Sequence, residues 1–178
     1  MLDRRIIEAT DLEITQHGIN GFTVSAVAER AGTSVSMIYR RFADRDGLIA
    51  ATYAAFYRQR FERLIELVRG LLGRTGDLTI DDVVAAVPPL RFEGAEDNRH
   101  RWQRILATAM ENLALRISIR RITLELAPTL DDLVAELSNR MPPGQQFDPR
   151  IILIFFTRHS ASIDDLLGDD GMSNQEYR

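Results

Sequence analysis

Apolar positions recur every three or four residues through most of the chain, and Gly, Pro and capping residues punctuate the pattern. Residues 2–17 read as a first helix, with Ile6, Ala9 (or Thr10) and Ile14 on one side; Gly18 stops it and 19–22 form a turn. Thr23 then stands at an N-cap, its hydroxyl able to accept an orphan amide of a short helix over 24–31. Gly32 breaks that helix, Ser34 caps another over 35–42, and Asp44 caps a long one from about 45 to 72. A polar stretch over 74–77 leads to a capped start at 79–82 and a helix towards Leu90. A second break, 93–98, precedes one long helix from Arg99 to about Leu126. Pro128 is expected to interrupt or kink it, with a restart at 129–132 and an end at 141–144. Asp148-Pro149 opens a last helix to Leu167, with Pro at the first helical position.

Taken alone, residues 151–156 also suit a buried strand. The cap before them and the helical continuation through Ile163, Leu166 and Leu167 favour helix, and no other segment offers a strand partner. The expected fold class is therefore all-α: a three-helix helix-turn-helix domain over 1–46, a helical domain over 47–168, and a polar, disordered tail over 169–178.

Composition narrows the function classes. Apolar residues make up 45% of 178, enough for a sizeable core. With no cysteine, disulfides, thiolate metal sites and Cys nucleophiles are out of reach. The N-terminus lacks a signal-peptide core and 151–156 is too short to span a bilayer, so a cytoplasmic protein without membrane contact is expected. The formal charge of −4 is unevenly divided. Residues 1–60 hold 8 Arg against 7 acids, net +1, while the rest hold 14 against 19, net −5, so the N-terminal third is the relatively basic part.

The chemistry is concentrated in the two short helices joined by Gly32-Thr33-Ser34. Val24, Val27, Ala28, Ala31, Ile38 and Phe42 can bury together and fix the interhelical angle. That leaves Val35, Ser36, Met37, Tyr39, Arg40 and Arg41 at or near the outside of the second helix, the composition of a major-groove reader. Arg can take guanine O6 and N7 together, Ser can bond either base type, and Val or Met can touch a thymine methyl. Tyr39, Arg41 and Arg45 suit phosphates, and the helix N-termini at Thr23 and Ser34 attract them through free amides.

From Phe22 to Leu48 the chain closely resembles the tetracycline-repressor (TetR) family signature, in Thr23, the Ala-Glu-Arg-Ala-Gly run ending at Gly32, Ser34, Tyr39, Phe42, Arg45 and Leu48. Ile6-Ile7-Glu8-Ala9 and Gly18 sit at family-like spacing, and the resemblance covers about the first 50 residues. It implies a homodimer whose two heads read a palindromic operator and are released by a small-molecule effector held in the larger domain. Carried over by position, Val35, Ser36, Tyr39, Arg40 and Arg41 contact DNA from the recognition helix, and Thr23 and Arg45 contact phosphates. The chain departs from the pattern at Val35, where many members carry Lys, and at Asp11 and Glu13, where apolar residues are usual. Because the sequence begins almost at helix 1, no basic arm for the minor groove is expected.

For the effector, Trp102, Leu106, Met110 and Leu113 recur at helical spacing, with Phe56, Phe156 and His159 as further candidates; such stripes more often serve as core. The apolar excess of the last helix nominates Ile151, Ile152, Phe155, Ile163 and Leu166 for dimerisation. Part of the 99–127 helix, or 129–140, is the alternative partner for that helix. The Asp pairs at 81/82 and 131/132 suit helix first turns rather than a metal, and no cofactor is expected. No Ser/His/Asp spacing, phosphate loop or catalytic carboxylate pair can be assembled, so no enzyme is read here. The other readings are a helical ligand-binding or interaction dimer without DNA recognition, and a TetR-like activator.

Overall fold

The structure is a computed structural model that describes residues 1–86 and 95–148. The expected last helix and tail lie outside the described residues, and with them Ile151, Ile152, Phe155, Phe156, His159, Ile163 and Leu166. Among the described residues the fold is all-helical: α1 Leu2–Gly21, α2 Val24–Ala31, α3 Val35–Phe42, α4 Arg45–Leu72, α5 Ile80–Ala86, α6 Ala95–Glu111 and α7 Leu113–Asn139. No helix among them is long and apolar enough to cross a membrane.

Local chemistry explains most boundaries. Gly18 interrupts α1 at φ 74°, ψ 166°, a conformation closed to most L-residues, and one further turn follows before Phe22. Thr23, Ser34 and Asp44 each accept a backbone N–H of the helix they precede, from Ala26, Met37 and Gly47 respectively. Thr79 and Asp82 form a reciprocal capping pair at the start of α5: Asp82 Oδ2 accepts the Thr79 N–H at 3.0 Å, and Thr79 Oγ1 accepts the Asp82 N–H at 3.3 Å.

Several boundaries differ from the sequence reading: α1 adds a turn to Gly21 and α6 begins at Ala95, inside the expected break. The region expected as one helix over 99–126 is divided at Asn112, whose side chain accepts the Leu115 N–H at 2.9 Å and starts α7. Arg116 reaches back to the carbonyls of Ala109 and Met110 and closes the end of α6. Asn112 also donates to the Asp46 carbonyl at 3.0 Å, which seats this corner on the start of α4. Pro128, conversely, neither ends nor restarts a helix, because α7 runs through it. It stands on the exposed face, one turn after exposed Leu124, where a carbonyl deprived of its helical partner can bond water.

Two apolar clusters hold the helices together, and α4 belongs to both. The first joins Ile6 and Ile14 of α1, Val27 of α2, Ile38 of α3, Leu48, Tyr53 and Tyr57 of α4, Ile105 of α6, and Leu115 and Ile119 of α7. The second joins Ile65, Val68 and Leu71 of α4 to Leu78 and to Leu130, Val134 and Leu137 of α7. Polar links reinforce the α4–α7 pairing: Tyr57 shares a hydrogen bond with Thr123 at 2.7 Å, and Arg58 makes a two-pronged pair with Glu125 at 2.8 and 2.6 Å. Burial pushes the Tyr57 phenol up to about 12, so it stays protonated at any physiological pH.

The passage from α3 to α4 is tight. Ala43 has φ 65° and ψ −60°, and the Asp44 N–H donates to the Phe42 carbonyl at 2.8 Å, which makes a γ-turn of the strained hand. A Cβ on Gly47 would stand 2.0 Å from that same carbonyl oxygen. Helix propensity alone would make Gly47→Ala stabilising by up to about 1 kcal/mol. The backbone clash reverses the sign, and we expect a loss of about 1–3 kcal/mol in urea unfolding. A variant as stable as the parent would show that this corner yields freely.

Candidate nucleic-acid interface

α2 and α3 are set at their angle by burial from within and by hydrogen bonds at the turn. Gly32 takes the left-handed conformation at φ 61°, ψ 48°, and the Thr33 N–H reaches the Ala28 carbonyl at 2.9 Å. Arg5 of α1 donates to the Ala31 carbonyl at the same turn. Ile38 is fully buried beneath α3, while Val35 and Phe42 are partly buried against the same cluster.

What remains of α3 faces outwards. Ser36, Tyr39, Arg40 and Arg41 are exposed, Met37 is half-buried, and Ser34 and Ser36 share a hydrogen bond at 3.0 Å at the helix start. Arg40 lies along its own helix with Nη2 2.9 Å from Met37 Sδ and meets no acid there, so its guanidinium is available to an acceptor. Ser36, Tyr39 and Arg40 are thus presented as the sequence pattern requires. Val35 offers only its outer edge.

Three of the other expected DNA contacts have internal duties. Arg41 pairs with Asp3 at the start of α1, and Arg45 donates to the Ile19 carbonyl with its guanidinium 4.3 Å from the Phe22 ring centroid. Arg45 thereby fastens the turn after Gly18. Thr23 caps α2 through its oxygen lone pair, which leaves its hydroxyl hydrogen free to donate.

The departures at Asp11 and Glu13 have a structural account that sequence reading lacked. Glu13 is 4% exposed, and its Oε1 accepts from Arg30 Nε at 2.9 Å and Nη2 at 2.7 Å. Arg30 also reaches Gln16 at 3.1 Å, and His17 lies 3.7 Å from the other carboxylate oxygen. An ion pair thus replaces an apolar contact between α1 and α2. Asp11 pairs with Arg101 of α6 at 3.2 Å. The only signal in the sequence was a charge on an otherwise apolar face.

The effector candidates divide. Phe56, Trp102 and Leu106 pack half-buried on the first cluster, and Tyr57 stacks on Trp102 with centroids 5.5 Å apart and planes at 11°. The guanidinium of Arg101 lies 4.9 Å from the Phe56 ring centroid, and that of Arg60 lies 5.0 Å from the Trp102 ring centroid. Met110 and Leu113 do not join them, being 57% and 62% exposed. The break at Asn112 takes Leu113 off the helix that carries the others, whereas Met110 keeps its helical spacing on α6 but is turned outwards. No group of acids and histidines that could hold a metal occurs among the described residues.

Residues 6–52, α1 to the start of α4, match the model of the tetR family of bacterial regulatory proteins. The HTH-type transcriptional regulator BetI of Paraburkholderia phymatum is 44% identical over 48 residues, a stretch that covers 27% of this chain and 24% of that protein. BetI of Escherichia coli is 25% identical over 149 residues, covering 80% of this chain and 71% of that one. The chain thus spans only about a quarter of the first relative's length. Among solved structures, a putative TetR-family regulator from Rhodococcus sp. superposes with a TM-score of 0.56 at 25% identity, covering 99% of this chain and 93% of its own. FadR of Bacillus subtilis, solved with stearoyl-CoA, shares the fold with a TM-score of 0.51 at 22% identity, covering 95% and 89%. Over residues 6–52 the chain thus carries the head sequence of the tetR family of bacterial regulatory proteins, and its fold is similar to that of a putative TetR-family regulator.

Proposed function

We propose that the chain is a ligand-responsive repressor that binds a palindromic operator as a homodimer in the cytoplasm and is released by a small-molecule effector. The observation that carries this is the outer face of α3, where Ser36, Tyr39 and Arg40 are exposed on a helix whose other side is locked by Ile38. A rigid helix whose guanidinium meets no acid among the described residues, with hydroxyls beside it, is suited to base edges in a major groove. Residues 1–46 act as the head and 47–168 hold the effector and the partner subunit.

Support for the homodimer comes from α7. Leu113, Ile117 and Leu124 are 62%, 48% and 55% exposed and follow one another at helical spacing along one face. An apolar stripe of this kind suits an isologous contact with a second copy. In such a dimer the recognition helices would stand about 34–36 Å apart, or a multiple, to meet successive major grooves. The effector is expected among Phe56, Trp102 and Leu106, where aromatic walls meet arginine side chains.

Fluorescence anisotropy against DNA flanking the gene tests the repressor reading. We expect saturable, palindrome-selective binding that weakens steeply with salt. Arg40→Ala should cost about 1–3 kcal/mol and relax selectivity at one base pair, and Tyr39→Ala/Arg40→Ala should abolish selectivity. Binding indifferent to sequence and to these substitutions would favour the alternative, a helical ligand-binding dimer without DNA recognition.

Ile117→Glu/Leu124→Glu should convert the dimer to monomer in light scattering and weaken operator binding, while far-ultraviolet circular dichroism stays unchanged. An intact dimer would remove α7 from the interface.

A further inference from the structure

Where α1, α4 and α6 meet, two buried polar atoms have no partner among the described residues. Tyr53 of α4 is 1% exposed, and its hydroxyl has no hydrogen-bond partner among the described residues. Arg104 Nε, on α6, is likewise buried without a partner. A buried donor left unsatisfied is costly, and two in one place call for an explanation. Burial raises the Tyr53 phenol above its ordinary range, and the charges that act on it are those of Arg104, Asp11 and Arg101. The acid among them, Asp11, is engaged with Arg101 at 3.2 Å. Among the described residues an acceptor is therefore present for Arg101, and none for Arg104 Nε or the Tyr53 hydroxyl. Phe56, beneath the Arg101 guanidinium, and Ile105, fully buried one residue beyond Arg104, supply apolar surroundings.

We propose that this junction of α1, α4 and α6 is a site for a small carboxylic acid with an apolar body. Its carboxylate accepts from the Tyr53 hydroxyl and Arg104 Nε and competes with Asp11 for Arg101. Asp11 already presents a carboxylate to Arg101, so the chain itself shows which group the arginine favours. The body of the acid lies against Phe56 and the turn of α6 that carries Trp102. A regulatory consequence follows and rests on the repressor reading above. Asp11 belongs to the head and Arg101 to α6, so an acid that draws Arg101 away weakens an ion pair that ties the two together. The ligand thereby binds one head arrangement better than the other, which is the condition for shifting that equilibrium.

Trp102 is the single tryptophan of the chain and lies on the same helical turn as Arg101 and Arg104, so its fluorescence reads the site directly, without DNA. The full chain is titrated with benzoate and octanoate, and with benzamide and octanamide, which keep the bodies and lose the charge. We expect a saturable fluorescence change with at least one acid and none with its amide. Binding of that acid should weaken about tenfold or more in Arg104→Gln, because a charge-assisted hydrogen bond is lost, and by less in Tyr53→Phe. In Asp11→Asn it should tighten several-fold, because the internal competitor is gone. Tightening cannot arise from damaged folding, so this variant keeps the test decisive if the others fold poorly. No saturable response to either acid in both the parent and Asp11→Asn overturns the proposal and leaves the cluster to ordered water, and so does an equal response to acid and amide. Because the readout needs no operator, this outcome is independent of whether the α3 face reads DNA.

Discussion

Helix α4 is shared by everything else in the fold. Its 28 residues span about 42 Å at the rise of an α-helix. Its first half is buried against α1, α3, α6 and α7, and its second half against α5 and α7. A rod packed on both ends transmits a displacement instead of absorbing it, since close-packed interiors have few alternative arrangements. The γ-turn at Ala43 and the missing Cβ at Gly47 fix α3 closely to the start of this rod.

Charge is used at the seams, not in the centre. Glu13 with Arg30 joins α1 to α2, Asp3 with Arg41 joins α1 to α3, and Asp11 with Arg101 joins α1 to α6. A partly buried pair contributes little net stability, because desolvation offsets attraction, but it penalises arrangements that leave one partner alone. Such contacts define where α1 sits without making the position irreversible. In the proposed repressor that suits a head which holds one orientation and is displaced by a modest coupling energy.

The helix-turn-helix was legible residue by residue because each of its constraints is local. A cap bonds within its own turn, a left-handed glycine needs only its own missing side chain, and the apolar faces of α2 and α3 repeat at short spacing. The candidate ligand site was only half legible. Trp102 and Leu106 could be nominated from periodicity, with Tyr53 and Phe56 as aromatics able to face them, but Arg101 and Arg104 were two arginines among 22 basic residues. Nothing in the spacing of residues 11, 53 and 101–104 announces that they meet, because the meeting is made by three different helices.

The errors at Asn112 and Pro128 mark the same division. Asn112 has the chemistry of a cap, and what makes it one is the corner it forms with the Asp46 carbonyl, 66 residues away. Pro128 has the chemistry of a breaker, yet α7 continues because its neighbours on α4 hold both sides and its own face is open to water. The sequence by itself determined the helical class, the helix-turn-helix and the outward residues of α3, through capping, glycine sterics and period. Tertiary structure decided which helices continue, which charges pair and which donors are left facing one another, because those outcomes depend on contacts between segments whose separation no local pattern encodes.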